Sequence, residues 1–133
     1  MSTIAPLTDL ESDPRVKAVF DDIRATRKTD FINNLWRYLA FDPTLLESTW
    51  AEVKRVMVTP SSLDPLTKEL IYIAVSVTNS CSYCVHSHTA AATAKGMTSE
   101  QHAELMAIVG LAAKTNQLAT ALQLPLDPVF DRG

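Results

Sequence analysis

Cys81-Ser82-Tyr83-Cys84-Val85-His86-Ser87-His88 is the stretch on which the reading of this chain turns. On a helix each residue advances about 100°, so with Cys81 at zero Cys84 falls near about 300° and His88 near about 340°. The three side chains share one arc of about 60°, Tyr83 flanks it at about 200°, and His86 lies on the far side at about 140°. A thiol with its free pKa of about 8.5 is mostly protonated at neutral pH, whereas the thiolate is the nucleophile. His88, one turn beyond Cys84, is placed to accept that proton or stabilise the anion. A Cys-x-x-Cys pair at a helix start also feels unpaired backbone N–H groups and the positive end of the helix dipole. The second thiol, three residues away, can then resolve an oxidised sulfur as a disulfide. On dipole grounds alone Cys81 is the more acidic of the two.

Two blander readings compete. The pair could be half of a zinc site, but there is no second Cys pair, and His86 and His88 diverge too far on one helix to close a tetrahedron easily. The cysteines could also be inert core thiols, since free Cys buries well. Upstream, Glu69 is either an ordinary exposed glutamate or, if its helix folds back across a break at Thr78-Asn79-Ser80, a carboxylate facing Cys84 and His88. Among apolar walls such a carboxylate is expected to have a raised pKa and to pass a proton.

Working outward, Asp-Pro occurs four times, and at Asp13-Pro14, Asp42-Pro43 and Asp64-Pro65 it precedes a helical pattern. Asp accepts a backbone N–H at the N-cap and Pro needs no donor at the first helical position, so these are three helix starts. The spacing predicts helices over 14–27 (Val16, Val19, Phe20, Ile23 inward), 31–40 (Ile32, Leu35, Trp36, Leu39) and 43–57 (Leu46, Trp50, Val53, Met57). Trp36 and Trp50, on these stripes, are read as core or interface residues. Thr59 to Leu63 is a loop. The fourth helix starts at Pro65, and its Leu70-Ile71-Tyr72-Ile73-Ala74-Val75 run is apolar all round, as in a helix that is central or covered by a partner subunit. A fifth spans 81–95 and stops at Gly96, a natural C′ residue. Thr98-Ser99-Glu100-Gln101 has capping-box spacing and opens a sixth, continuing to Leu122 with Leu105, Ile108, Val109, Ala112 and Leu118 on its apolar face. Beyond Leu124 an extended arm is expected. His102, alone in the sixth helix, reads as structural or solvent-facing.

The expectation is therefore an all-α chain of about six helices around a central CxxC helix, forming one domain over 1–133. The 133 residues are 47% hydrophobic and 20% charged, as in a globular domain, and hold only three glycines, too few for a turn-rich β fold. A net charge of −3 with no basic block offers no footprint for nucleic acid or an anionic membrane. No apolar stretch reaches about 18 residues, so no membrane span is expected. Residues 1–10 lack a signal-peptide pattern, so a reducing, cytoplasmic setting is expected, where two cysteines are more often catalytic than a structural staple.

The joint pattern of Glu69, eleven intervening residues, then Cys81-x-x-Cys84-x-x-x-His88 resembles the alkylhydroperoxidase D (AhpD)-like branch of the carboxymuconolactone decarboxylase family. Leu63-Asp64, Lys68-Glu69-Leu70, Ala74-Val75-Ser76 and Gly96 extend the likeness, which covers roughly 43–110. The resemblance implies an all-helical fold assembled as trimers or hexamers, reducing hydroperoxides through a cysteine pair and needing no metal or cofactor. It implies Cys84 as the peroxidatic thiol, Cys81 as the resolving thiol, and Glu69 with His88 as a proton relay. It also implies re-reduction by a dithiol partner, lipoyl or thioredoxin-like. The founding branch often has His between the cysteines; here Tyr83 stands there, and a phenol with pKa near about 10 is a poor base at neutral pH, though it can relay a proton or hydrogen-bond a carboxylate. Two other functions stay open: the decarboxylase or lactone chemistry of the wider family, which does not rely on a Cys pair, and a non-enzymatic redox sensor whose disulfide alters an oligomer interface.

Overall fold

Each Asp-Pro pair performs the capping its chemistry suggests. In the computed structural model, which describes residues 2–131, Asp13 accepts from the Arg15 N–H and opens α1 (Pro14–Arg27), Asp42 accepts from Leu45 and opens α3 (Pro43–Val53), and Asp64 accepts from Thr67 and opens α4 (Pro65–Thr78). Between them lies the short α2 (Asn34–Leu39); α5 (Ser82–Ala94) and α6 (Ser99–Leu122) complete the set. Short 3₁₀ turns occupy Leu10–Ser12 and Pro128–Phe130, and no strand occurs among the described residues. The expected all-α architecture of six helices is what the described residues form.

Where one domain over 1–133 is expected, the chain forms two compact units that divide between Thr59 and Pro60, inside the loop read over 59–63. In the first unit Val16, Val19, Phe20, Ile23, Ile32, Trp36, Ala40, Leu46 and Trp50 form one buried cluster, which includes the whole predicted inward face of α1 and, from that of α3, Leu46 and Trp50, with Val53 packed against it. Trp36 and Trp50 meet edge to face at 5.3 Å, and the Trp50 indole donates to Asp22, which also pairs with Lys54, tying α1 to the end of α3. Two helix bounds differ from expectation. The second helix begins only after Asn33, whose extended backbone makes it the N-cap and leaves Phe31 outside and exposed. The third is α-helical only to Val53, then widens into a π turn over Lys54–Val58, closed by the Thr59 N–H on the Lys54 carbonyl at 2.9 Å. Met57 therefore leaves the α3 stripe.

The second unit carries α4, α5 and α6 around a small core of Ile73, Ala92, Met97 and Leu105. The α4–α5 corner is made by Ser80 in the left-handed region (φ 56°), with the Cys81 N–H on the Ser76 carbonyl at 3.0 Å. α5 ends as expected at Gly96 (φ 94°), with the Met97 N–H reaching back to Ala92. The capping box at Thr98 and Gln101 is complete in both directions. The sixth helix departs from its expected apolar face: Leu105 is buried, but Ile108 and Leu118 are exposed, as are Ile71 and Val75 of α4. By length and composition alone α6 is long and apolar enough to cross a membrane, although polar residues such as Lys114, Thr115 and Asn116 interrupt its alanines and leucines.

Candidate functional site

The buried face of α4 is Glu69, Ile73 and Ser76, spaced i, i+4, i+7, so a glutamate occupies the core stripe and is only 5% exposed. A buried carboxylate is unfavourable unless it is paired. Its partners come from α5, which returns along α4 after the Ser80 corner. Glu69 lies eleven residues before that corner and His88 eight after it, so at roughly 1.5 Å per residue they differ in height by only about one helical turn, which their side chains span. His88 Nδ1 meets Glu69 Oε2 at 2.6 Å, and Lys95 Nζ donates to Glu69 Oε1 at 2.7 Å. Across the ring of His88, Tyr72 of α4 stacks at 3.6 Å between centroids with planes 21° apart. Both faces of the choice left open for Glu69 are thereby settled: it is buried, and it touches His88.

The charge on Glu69 is opposite to expectation. Burial pushes its pKa up, and that is the largest single influence. The hydrogen bonds from His88 and Lys95, with the positive charge of Lys95 and that of His88 whenever it is protonated, together outweigh it and hold the carboxyl below its ordinary value. The apolar walls expected to raise it are offset by a cation that was not foreseen. Glu69 is thus an ionised acceptor at neutral pH rather than a proton donor. Since an ionised carboxylate only accepts, the hydrogen between the two groups sits on His88 Nδ1, which in the neutral imidazole makes Nε2 the acceptor.

The sulfurs lie at the start of α5. Cys81 is the N-cap of α5 rather than its first helical residue, and its Sγ accepts from the Cys84 N–H at 3.3 Å. Cys84 is therefore in the first turn, where unpaired N–H groups and the dipole favour an anion. The two sulfurs are joined as a disulfide, with Cα atoms 5.3 Å apart. His88 follows Cys84 by four residues, which puts their Cβ atoms about 5–6 Å apart on one face. Tyr83 lies exposed in the same first turn. His86 is exposed, as its direction on the helix implied, and His102 is partly buried on α6. Among the described residues no group of three or more His, Cys, Asp or Glu side chains is placed to hold a metal ion.

Sequence reasoning missed Lys95 and Tyr72. Lys95 was within reach: fourteen residues beyond Cys81, it falls at about 320° on the same wheel, between Cys84 and His88. Tyr72 was hidden in a run read only as apolar.

Comparisons with known proteins agree with this geometry. The sequence profile of the carboxymuconolactone decarboxylase family matches residues 44–127. The crystal structure of the alkylhydroperoxidase AhpD core from Rhodospirillum rubrum superposes with a TM-score of 0.94 at 64% identity, covering 98% of this chain and 97% of that one. No curated protein matches the chain.

Proposed function

Because this chain belongs to the carboxymuconolactone decarboxylase family, and resembles an alkylhydroperoxidase core over nearly its whole length, we propose that it is a thiol-dependent alkylhydroperoxidase. The observation that carries the reading is the Cys81–Cys84 disulfide one turn before a histidine whose far nitrogen is held by a buried, ionised carboxylate.

In the reduced protein His88 Nε2 takes the proton of the Cys84 thiol, and Glu69 stabilises the imidazolium that results. The Cys84 thiolate attacks the terminal peroxide oxygen. The O–O bond breaks, Cys84 becomes a sulfenic acid, and the departing alkoxide takes the proton from His88 and leaves as alcohol. The Cys81 sulfur then attacks the Cys84 sulfur, the S–O bond breaks, and the hydroxyl leaves with a proton as water. One hydroperoxide and two thiols give one alcohol, one water and one disulfide, in the manner of a peroxiredoxin. A lipoyl or thioredoxin-like dithiol returns both sulfurs to the thiol state, which suits a reducing cytoplasm. Tyr83, exposed beside the pair, is suited to meeting substrate or reductant rather than to the buried relay. The exposed apolar side chains of α4 and α6 support assembly as a homo-oligomer.

The test is stoichiometric. Reduced protein given one equivalent of cumene hydroperoxide should lose both free thiols and yield one equivalent of alcohol. Retention of two thiols at neutral pH would remove the proposal, and an activity that survives replacement of both cysteines by serine would point to lactone or decarboxylase chemistry instead.

A further inference from the structure

Glu69 has two carboxylate oxygens and a different partner on each. The partner on Oε2 does the chemistry; the partner on Oε1, Lys95, has no place in the steps above. Lys95 stands at the C-cap of α5, where the chain is about to turn at Gly96 and where a cation is favoured by the helix dipole. Its side chain is 37% exposed, yet it reaches a carboxylate that is 6% exposed. A surface lysine with nothing to do would stay in water.

We propose that Lys95 is a positioning residue that sets the tautomer of His88, by keeping Glu69 charged and turned so that its second oxygen accepts from Nδ1–H. This rests on the function proposed above. The physical reason is the cost of burying charge. Without a cation, a carboxylate this deep is most easily accommodated as the neutral acid. A protonated Glu69 is a donor, and its nearest acceptor is His88 Nδ1. The imidazole hydrogen then moves to Nε2, the nitrogen that has to take the proton of Cys84. One surface cation thus decides whether the histidine presents a lone pair or a hydrogen to the thiol. Both charged contacts on the Glu69 carboxyl come from α5, through His88 and Lys95. On α4, Tyr72 covers the His88 ring, and α6 contributes the apolar Leu105 to this core.

The experiment is ¹⁵N and ¹³C NMR on the reduced full chain, beside K95M and K95R, with peroxide kinetics measured in parallel. Unmodified protein should show His88 hydrogenated at Nδ1 while neutral, and Glu69 ionised from pH 5 to 8. K95M should move the Glu69 titration upward and shift the hydrogen to Nε2; K95R should restore both. The acid limb of the peroxide rate should move to higher pH in K95M, with a loss at its acid end approaching about 10²-fold, the scale of one proton-transfer group. If K95M keeps the Nδ1–H tautomer and an unmoved Glu69 titration, the proposal is overturned, even where the rate has dropped. Should K95M not fold, the unmodified protein decides: an Nε2–H tautomer there also overturns it. A chain that shows the expected tautomers but consumes no peroxide refutes the proposed function and leaves the role of Lys95 standing.

Discussion

Replacing Glu69 by glutamine separates the fold from the chemistry. Gln has nearly the same shape but cannot hold the charge that both His88 and Lys95 face. Removing one member of a fully buried ion pair costs about 3–5 kcal/mol, because the other charge is stranded. Here the stranded groups are not deep: the side chains of His88 and Lys95 are 23% and 37% exposed, and Lys95 can turn into water. Solvent screening reduces the expected loss to roughly 1–2 kcal/mol. At about 3–6 °C per kcal/mol for a chain of this length, the melting temperature should fall by about 3–12 °C. The kinetic loss should be larger in proportion. With no anion to stabilise the imidazolium, the second-order rate of the reduced protein with cumene hydroperoxide at pH 7 should drop roughly 10²-fold. Stopped-flow kinetics and circular-dichroism melts of the same samples give both numbers. A folded E69Q that reacts within about twofold of the unmodified protein would refute the reasoning, since an interaction that matters in the transition state must appear in that rate.

Acidification should erase the stability difference between the two proteins. The carboxyl of Glu69 is held below its ordinary value in the folded state, so its contribution is complete above the ordinary glutamate pKa of about 4.3 and fades as pH falls through the folded value. Melting curves of unmodified protein and E69Q should therefore converge as the pH falls below the ordinary glutamate pKa of about 4.3, and a gap that widens on acidification contradicts the assignment. The cysteines should divide their work. C84S should consume no peroxide, while C81S should react once and stall as a sulfenic acid that dimedone traps; the reverse pattern, read by mass spectrometry, would exchange their roles. Gly96→Ala should destabilise by roughly 1–2 kcal/mol in thermal or urea unfolding, since its φ of 94° suits glycine alone even though a methyl group there would meet open space. An unchanged midpoint would show that the α5 terminus had re-formed elsewhere.

Local rules carried far along this chain. Asp13, Asp42 and Asp64 each cap the helix that their following proline announces, because capping depends on neighbours two or three residues away. The Cys81–Cys84–His88 arc needed only the pitch of a helix. What was not legible depended on partners across space. Met57 belonged to the right pattern but to a turn that widens, a choice of hydrogen bonds that periodicity does not encode. Glu69 does face His88, but its pKa is held down rather than raised, because its burial is offset by His88 and by Lys95, twenty-six residues away in sequence. Ile108 and Leu118 have core-like spacing without being buried, since an apolar stripe specifies that something covers it and not what.

The sulfur–sulfur link spans only one turn, from the residue that caps α5 to the third residue inside it, with Cα atoms 5.3 Å apart. Nothing beyond that turn has to shift for the link to open or close. It joins no two helices, and the ring it closes is so short that its effect on the freedom of the unfolded chain is near the minimum for any crosslink. Such a molecule can hand electrons on cycle after cycle with its scaffold at rest, much as a contact breaker opens and closes without moving the machine that carries it.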